Sequence, residues 1–404
     1  MAFQYLTNVP LERARREFRD ALRCAGFGPE AETIPVRDAC GRITAEPVYA
    51  RICAPHYPAC AMDGIALEAR ATFGATETTP VTLGAEAFTA VDTGDPVPEG
   101  CDAVVMAEDV VGQEDGSVRL HAAAVPWQHI RQIGEDICAG EMILASHVEI
   151  SPSAMGAMLA AGVLEAAVLR RPVVGIIPTG DEVVPPTASP EPGDVVEFNS
   201  AIFSAMLVQW GAEPRTFPIV PDERAAIRAA VEEALSQCDV VLLNAGSSAG
   251  REDYSAAVLG EVGEVLFHGI AMKPGKPAIL GHRGGKPLLG VPGYPVSGIL
   301  VLTELLRPLL EDWYQAGTRR DVHREAVLSR PVVSGLKYQE FVRVRLGRAA
   351  GKLIASPLGR GSGVVSSFMK ADGILEVPQG VEGYEAGSTV QVRLLRTEED
   401  LAHT

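Results

Sequence analysis

Positive charge is scarce in this sequence. Lys and Arg together number 35 against 52 Asp and Glu, which gives the 404 residues a formal net charge of -17. A surface of that sign repels DNA, RNA and anionic lipid, so we expect neither a nucleic-acid nor a membrane partner. An anionic ligand would have to be held by a local cluster of basic side chains, because the field of the whole protein opposes its binding.

Long apolar runs and paired cysteine spacings are also missing. No stretch approaches the ~18 uninterrupted apolar residues of a membrane span. Residues 1–6 lack the basic and apolar segments of a secretion signal, so we expect a cytoplasmic protein. Disulfide frameworks and zinc sites need close cysteine pairs, and no C-x-x-C occurs here, so we expect reduced, mostly buried thiols. The seven cysteines stand at positions 24, 40, 53, 60, 101, 138 and 238.

The chain contains enough apolar sequence for several cores. Hydrophobic residues make up 47% of it, and its length suggests about two to four domains. An amphipathic helix opens the chain, with Asn8 placed to cap it and Pro10 in its first turn. Its apolar side chains recur at helical spacing at Leu11, Ala14, Phe18 and Leu22. From about residue 51 to 143, short apolar runs separated by turns rich in Gly and Pro predict a β-rich module.

A second helix and an alternating α/β region follow. Ser151 as cap and Pro152 as first residue open the helix. From residue 172 onward, wholly apolar strands alternate with amphipathic helices, which predicts a parallel sheet covered on both faces. The predicted strands are residues 173–177, 240–243 and 288–291, and the predicted helices lie near residues 202–210, 223–235 and 296–310. After residue 319, short strands and Gly-rich turns predict a terminal β domain.

Ligands of such a sheet bind beyond the carboxyl ends of its strands, where the candidate loops begin. The first loop is residues 178–182, in which the adjacent carboxylates Asp181 and Glu182 could hold a divalent cation or a ribose hydroxyl. An ordinary acidic turn explains this loop equally well. The second is residues 244–250, whose small side chains let backbone N–H groups approach a phosphate, although a tight turn is as good an explanation. Asp253, just beyond it, could bind a metal or cap the next helix.

The basic candidates lie farther along the chain. In residues 273–277, two prolines stiffen a loop that carries Lys273 and Lys276, which favours anion binding over two solvated lysines. Residues 292–297 form a rigid entry to the last apolar helix, where amides and the Ser297 hydroxyl could receive an oxyanion. A stiff connector capped by Ser297 is an equally good explanation. Carboxylates, amide-rich loops and paired lysines at one sheet edge together predict a site for a phosphorylated ligand with a metal.

These motifs resemble those of one known family. The matching segments cover essentially the whole chain, in order Ala61-Met62-Asp63-Gly64, Thr93-Gly94, Asp102-Ala103-Val104-Val105-Met106, Gly134-Glu135-Asp136-Ile137, Thr179-Gly180-Asp181-Glu182, Lys273-Pro274-Gly275-Lys276-Pro277 and Pro292-Gly293-Tyr294-Pro295-Val296-Ser297. Their number and order resemble the molybdopterin molybdenumtransferases, known as MoeA in bacteria and as the E domain of gephyrin in animals.

The resemblance implies an elongated α/β plus β subunit in four parts. These are a helical linking domain (residues 1–48 and 142–170), a β-rich inserted domain (49–141), a central parallel-sheet, molybdopterin-binding-like α/β domain (171–316) and a C-terminal β-barrel-like domain (317–404). It also implies a homodimer with the site shared between subunits. Further implied partners are the molybdopterin adenylyltransferase and the molybdoenzymes that accept the product.

The implied reaction takes adenylylated molybdopterin and molybdate, cleaves the pterin–AMP phosphoanhydride with Mg²⁺ or a similar ion, and releases molybdenum cofactor and AMP. The implied metal-site residues are Glu182, Asp222 and Asp253, although helix capping suits Asp222 equally well. The implied catalytic residues are Asp63, Thr93, Asp136, Lys273 and Lys276. The implied substrate-binding residues are Arg131, Gly246, Ser248, Pro292, Pro295, Ser297 and Arg343. Those expected from the partner subunit's side are Asp63, Thr93, Arg131, Asp136 and Arg343.

The chain departs from the family pattern at several positions, and other functions compete. Cys60 stands where Ser is usual, Asp95 where Ala is common, and Tyr294 replaces the Asn of Pro-Gly-Asn-Pro, which leaves the choice between molybdate and tungstate open. The alternatives are a molybdopterin adenylyltransferase, whose relatives are shorter, and a catalytically idle scaffold or molybdopterin-binding protein. Retention of the charged set argues against idleness. The sulfurs that ligate molybdenum belong to the pterin, so no protein cysteine is required.

Overall fold

The computed structural model of the protein describes residues 8–245, 254–315, 321–349 and 351–396. Contacts divide the chain into two units, residues 1–30 with 170–404 and residues 31–169. In the described parts, no helix combines the length and apolar composition needed to cross a membrane. The α-helices there are Leu11–Cys24, Pro152–Ala160, Asn199–Gln209, Arg224–Gln237, Ser255–Val262, Pro295–Val301, Arg307–Tyr314 and Ser366–Met369.

The first helix, Leu11–Cys24, has the predicted buried face but not the predicted cap. Its four apolar positions are at most 2% exposed. Pro10 is the N-cap residue, and the helix has no side-chain cap among the described residues. Asn8 lies two residues before Pro10, and its neighbour Val9 forms a β-bridge with Ile270. The prediction that Asn8 caps the helix is therefore wrong. The helix packs into the core of the α/β region, in the unit that contains residues 1–30 and 170–404, and its grouping with residues 142–170 stays a prediction.

Six strands form the central sheet of the larger unit. In spatial order they are Glu213–Thr216, Val173–Pro178, Val240–Ala245, Lys286–Pro292, Ile279–Arg283 and Glu264–His268. The first four run parallel, as predicted. Ile279–Arg283, which the sequence analysis did not predict as a strand, runs antiparallel to both of its neighbours.

Both faces of the central sheet are covered, as its non-alternating apolar strands predict. Val174, Leu242 and Leu289 pack against the first helix and Asn199–Gln209 on one face. On the other face, Val241 and Leu243 pack with side chains of Arg224–Gln237 and Ser255–Val262. Alternate residues of one strand thus enter two separate cores.

The predicted apolar helix over residues 296–310 is interrupted. Pro295–Val301 and Arg307–Tyr314 flank a π-helical turn, Leu302–Leu306. The turn carries Glu304, which is 3% exposed and pairs with Arg15 and Arg393. A buried carboxylate is tolerated when cations compensate it, and these cations come from distant parts of the chain.

The C-terminal region closes into a five-stranded barrel, as the resemblance implies. Its strands, each beside the next and the last beside the first, are Gln339–Ala349, Lys352–Pro357, His323–Leu328, Thr389–Leu394 and Gly373–Val377. A two-residue strand, Met272–Lys273, adds to it alongside the start of Gln339–Ala349. Short pairs also join Val332–Val333 to Gly383–Tyr384 and, near the central sheet, Val183–Val184 to Val195–Val196.

Residues 31–169 contain the predicted β-rich module. Gly64–Leu67 lies between Phe88–Val91 and Ala103–Met106, and Val118–Leu120 lies between Val81–Leu83 and Val110–Gly112. Two-stranded pairs join Ala31–Pro35 to Glu165–Leu169, Val48–Tyr49 to Met142–Leu144, and Ala59–Cys60 to Ile130–Arg131. The Ser151 hydroxyl caps Pro152–Ala160 by accepting from the Ala154 N–H, as predicted.

The cysteines correct one expectation. All seven are free thiols, but only Cys60 and Cys238 are buried. Cys24, Cys40 and Cys138 are exposed. The expectation of mostly buried thiols is therefore wrong, because spacing along the chain carries no information about which cysteines the cores enclose.

The core assignment predicts the cost of truncating the first helix. Phe18→Ala should lower the free energy of unfolding by about 3–5 kcal/mol, because it leaves a cavity in a closed core. Denaturant unfolding of the intact chain measures this cost. Val208→Ala is the matched control, because Val208 is 61% exposed and its truncation should change stability by less than about 0.5 kcal/mol. An equal effect of both variants would contradict the assignment.

Candidate functional site

The reversed strand positions the lysine loop, residues 273–277. Ile279 pairs with Gly290 near the end of Lys286–Pro292, so the start of the reversed strand lies at the carboxyl edge of its parallel neighbour. The loop precedes that strand and therefore reaches the ligand edge of the sheet. Glu264–His268 ends at the same edge, since His268 pairs with Ile279, but the lysine loop does not follow it directly. Its first residue, Lys273, instead pairs with Glu340 of the barrel.

A cavity of about 240 Å³ lies between this loop and the barrel, and we call it the basic cavity. Its cationic lining residues are Lys273, Lys276, Arg343 and Arg360. Pro292, Tyr294 and Ser297 contribute from the entry to Pro295–Val301, and Ser362 and Glu340 from the barrel side. The fold thus provides the local basic cluster that an acidic chain needs in order to hold an anion.

Arg343 is the most enclosed cation of the basic cavity. It is 1% exposed, and its Nη2 donates to the carbonyls of Gly359 and Gly361 at 2.8 and 3.2 Å. Its Nε donates to Ser367 Oγ at 3.2 Å. Burial lowers the pKa of this guanidinium, and the nearby Glu340 carboxylate opposes the shift. Arg343 lines the same cavity as the lysines of its own chain, whereas the resemblance implies a role on the partner subunit's side.

Glu340 and Arg360 are lining residues that the sequence analysis missed. Glu340 is 3% exposed, and its Oε1 accepts from Arg360 Nη1 at 3.1 Å. Its Oε2 is buried and has no hydrogen-bond partner among the described residues. The only sequence signal for Arg360 is a glycine on either side of it, and Glu340 has none. Both residues lie beside the lysine loop because the strand Met272–Lys273 pairs with the barrel.

The entry to Pro295–Val301 supplies the remaining wall. Tyr294 is its N-cap residue, and no side chain caps it within the described chain. The alternative in which Ser297 is the helix cap is therefore wrong. Ser297 is 5% exposed and lines the basic cavity, and the Val296 N–H donates to the Ser362 carbonyl at 3.0 Å. Lys276 lies over the Tyr338 ring, 5.7 Å from its centre.

A second cavity, of about 460 Å³, contains Glu182, and we call it the Glu182 cavity. Thr179, Asn199 and Asn244 also line it. Thr179 Oγ1 and Asn199 Oδ1 are buried without hydrogen-bond partners in the described structure. Oxygen-only donors of this kind match the preference of Mg²⁺, so the lining fits a hard divalent cation.

Tyr294 joins the two cavities. Its side chain is 54% exposed and belongs to the lining of both. The segment after the barrel strand Lys352–Pro357 also contributes to both cavities, because Ser362 lines the basic cavity and Gly363 lines the Glu182 cavity. Acidic and basic candidates of one chain thus occupy neighbouring cavities at one edge of the central sheet.

Of the other proposed metal ligands, Asp222 lies among the described residues. The Asp222 N–H donates to Asp181 Oδ1 at 3.0 Å, and Glu223, not Asp222, is the N-cap residue of Arg224–Gln237. Asp253, Gly246 and Ser248 lie outside the described residues. Among the residues that are described, no three His, Cys, Asp or Glu side chains cluster as metal ligands. The three-carboxylate metal site stays a prediction.

The remaining predicted site residues lie in the unit 31–169. Asp63 Oδ1 accepts from the Thr93 N–H at 2.6 Å and from its hydroxyl at 2.8 Å, so the fold brings these two together. The Thr93 N–H and then its hydroxyl lower the pKa of the Asp63 carboxyl. Arg131 faces Glu135 at 3.5 Å, and the Asp136 N–H donates to the Ala54 carbonyl at 3.1 Å.

Two departures from the family pattern also lie in this unit. The Asp95 carboxylate accepts from the Asp92 N–H at 2.9 Å, within its own turn. Cys60 is a buried thiol, as expected, and burial, followed by the charge of Asp95, raises its pKa. Neither side chain extends the set of candidate ligands.

Comparisons with known proteins agree along the chain. The description "MoeA N-terminal region (domain I and II)" matches residues 9–162, "Probable molybdopterin binding domain" matches 175–312, and "MoeA C-terminal region (domain IV)" matches 325–395. A molybdopterin molybdenumtransferase of Bacillus subtilis is 31% identical, covering 97% of this chain and 95% of the relative. Molybdopterin molybdenumtransferase 2 of Mycobacterium tuberculosis is 32% identical, covering 89% and 94%. The crystal structure of a molybdopterin biosynthesis MoeA protein from Pyrococcus horikosii has a TM-score of 0.79 at 31% identity, covering 97% and 100%.

The lining of the basic cavity predicts which arginines bind a dianion. Arg360→Ala should weaken the binding of sulfate, a tetrahedral dianion, by about tenfold or more, because it removes a charge-assisted hydrogen-bond donor. Calorimetric titration at fixed ionic strength measures the affinity. Arg345→Ala is the control, because Arg345 is exposed on the barrel strand Gln339–Ala349 and lies outside the cavity lining. Equal losses in both variants would show that only the overall charge matters.

Proposed function

Because the chain belongs to the MoeA family of molybdopterin molybdenumtransferases, we propose that it inserts molybdenum into adenylylated molybdopterin. In the proposed reaction the pterin–AMP phosphoanhydride is cleaved and molybdenum cofactor and AMP are released. The family membership itself supports a role in molybdenum-cofactor biosynthesis. The finer reaction is supported by the arrangement of the two cavities.

The basic cavity is the observation on which the proposal rests. Molybdate is a tetrahedral dianion, and the cationic lining offers ammonium and guanidinium donors from several directions. A volume of about 240 Å³ suits a small oxyanion rather than a pterin nucleotide. The larger, neighbouring Glu182 cavity is then left for the phosphate-bearing end of the organic substrate.

We assign the divalent cation to the Glu182 cavity. Glu182 would be an ionic ligand there, with the oxygens of Thr179 and Asn199 as neutral donors. When bound, the cation would neutralise charge on the phosphoanhydride as its bond breaks. The Asn199 Nδ2 donates to Asn244 Oδ1 at 3.1 Å and to the Gly293 carbonyl at 2.7 Å, which orients its oxygen.

The residues of the unit 31–169 enter the proposal through dimerisation. In it, Asp63, Thr93, Arg131 and Asp136 act at the site of the partner subunit, whereas Arg343 acts within its own chain. Exposed charged side chains such as Asp63 and Arg131 are available for such a role. Sedimentation of the native protein tests the dimer, and a monomer that retains full activity would contradict it.

A direct assay tests the function. Purified protein is incubated with adenylylated molybdopterin, Mg²⁺ and molybdate, and AMP release is followed. A parallel reaction with tungstate reports the oxyanion preference, which the Tyr294 substitution leaves open. Absence of both AMP release and nucleotide binding would overturn the proposal in favour of a scaffold.

Lys276 should affect the oxyanion more than the pterin. In Lys276→Ala the molybdate concentration that gives half-maximal AMP release should rise by about tenfold or more, through loss of a charged donor. Affinity for adenylylated molybdopterin should change much less. Lys352→Ala, an exposed lysine of the barrel, is the control for charge alone. An unchanged molybdate dependence would remove Lys276 from the oxyanion site.

Substitution of Glu182 should change how turnover depends on the divalent cation. Replacing it with Gln keeps the size of the side chain but removes its charge, so turnover at limiting Mg²⁺ should fall by about an order of magnitude or more. The measurement is AMP release across a Mg²⁺ titration. Glu191→Gln, at an exposed position of the same region and outside the cavity lining, is the control. A full-rate Glu182→Gln variant would exclude the carboxylate from the mechanism.

A further inference from the structure

Two cysteines far apart in sequence face each other in the unit 31–169. Ala54 and Ile137 form an antiparallel bridge and exchange both backbone hydrogen bonds, at 2.8 and 3.1 Å. The next pair outward from this bridge is Cys53 and Cys138. In an antiparallel ladder, the pair beside a hydrogen-bonded pair is a non-hydrogen-bonded one, with Cα atoms about 4.5 Å apart. That separation lies within the range that a disulfide spans, about 4.4–6.8 Å.

The two sulfurs point towards the same place. A Cβ built on Gly134 would lie 3.0 Å from Cys138 Sγ and 3.5 Å from Cys53 Sγ, so both sulfurs approach one small volume beside this glycine. Cys138 Sγ donates to the Gly134 carbonyl, and Cys53 Sγ accepts from the Ala139 N–H, each at 3.3 Å. Gly134 has φ +73°, a conformation that favours glycine, and its missing side chain leaves the space open.

Access differs between the cysteines in a way that suits stepwise oxidation. Cys138 is exposed and Cys53 is half-buried, whereas Cys60 and Cys238 are enclosed. Burial raises the pKa of both enclosed thiols, which keeps them in the unreactive protonated form. An external oxidant can therefore reach Cys138 first, with Cys53 adjacent to it as the resolving thiol.

We propose that Cys53 and Cys138 form a site of reversible modification, an intramolecular disulfide made by exchange with a small-molecule disulfide such as oxidised glutathione. The Cys138 thiolate attacks one sulfur of the small disulfide, and the first glutathione thiolate leaves. The Cys53 thiolate then attacks Cys138 Sγ, and the second glutathione thiolate leaves. Two protein thiols and one small disulfide thus become one protein disulfide and two small thiols, and each leaving thiolate takes up one proton released by a cysteine.

The bond would hold the segment that carries Asp136. The Asp136 and Ile137 N–H groups both donate to the Ala54 carbonyl, so a covalent link at the next residues would fix this short ladder against opening. The disulfide chemistry does not depend on the proposed function. The effect of the disulfide on turnover would depend on the proposed function, because that function gives Asp136 a role.

Mass spectrometry of the native protein after exposure to oxidised glutathione tests the site. We expect the wild-type chain to yield a linked peptide containing Cys53 and Cys138, which dithiothreitol reverses. In Cys53→Ser we expect a stable glutathione adduct on Cys138, because the resolving thiol is gone. In Cys138→Ser we expect no intramolecular bond.

The double variant Cys24→Ser/Cys40→Ser is the matched control. It removes two other exposed thiols and should form the same linked peptide to the same extent. Wild-type protein in which glutathione adducts accumulate on Cys24, Cys40 or Cys138 with no linked peptide would overturn the proposal. Because that result comes from the unmodified chain, poor folding of a serine variant would not obscure it.

Discussion

The candidate site depends on one strand that runs against its neighbours. In a parallel sheet, only loops that follow strands reach the ligand edge. The strand Ile279–Arg283 is antiparallel, so the loop before it reaches that edge instead. The lysine loop thereby lies beside Pro292, and its first residue, Lys273, pairs with the barrel as part of the strand Met272–Lys273.

The barrel supplies the groups that balance the positive charge of the basic cavity. A cluster of cations in a small volume is self-repelling, and the carbonyls of Gly359 and Gly361 together with the Glu340 carboxylate offset that repulsion. Glu340 also leaves one oxygen unpaired in the described structure, which costs free energy that a bound hydrogen-bond donor or cation would recover. The site is therefore arranged for charged ligands at some cost to stability.

Tyr294 is shared by the linings of the two cavities. As the N-cap residue before Pro295, it is held by a rigid turn, and its exposed side chain lies in both linings. The family pattern has an asparagine here, so the larger aromatic ring changes the shape of the passage between the proposed oxyanion and organic subsites. The proposed disulfide pair, Cys53 and Cys138, lies in the other unit, beside Asp136.

The sequence by itself determined the class of each region. Apolar strands without alternation predicted a sheet buried on both faces, and the spacing of Leu11, Ala14, Phe18 and Leu22 predicted a buried helix face, because these periodicities are local. The lysine loop and the Glu182 loop were predicted as site elements from their residue types, and the structure places them in adjoining cavities. The metal ligands and the sharing of the site between subunits stay predictions.

Only the tertiary structure decided which residues distant in sequence lie next to one another. That Arg343 joins the lysines of its own chain, that Glu340 and Arg360 belong to the cavity, and that Cys53 faces Cys138 all depend on pairings between residues far apart in sequence. The π-helical turn at Glu304 likewise depends on Arg15 and Arg393 meeting it from distant segments. Local propensity carries no information about such pairings, because their free energy arises only when sheets and barrel close on one another.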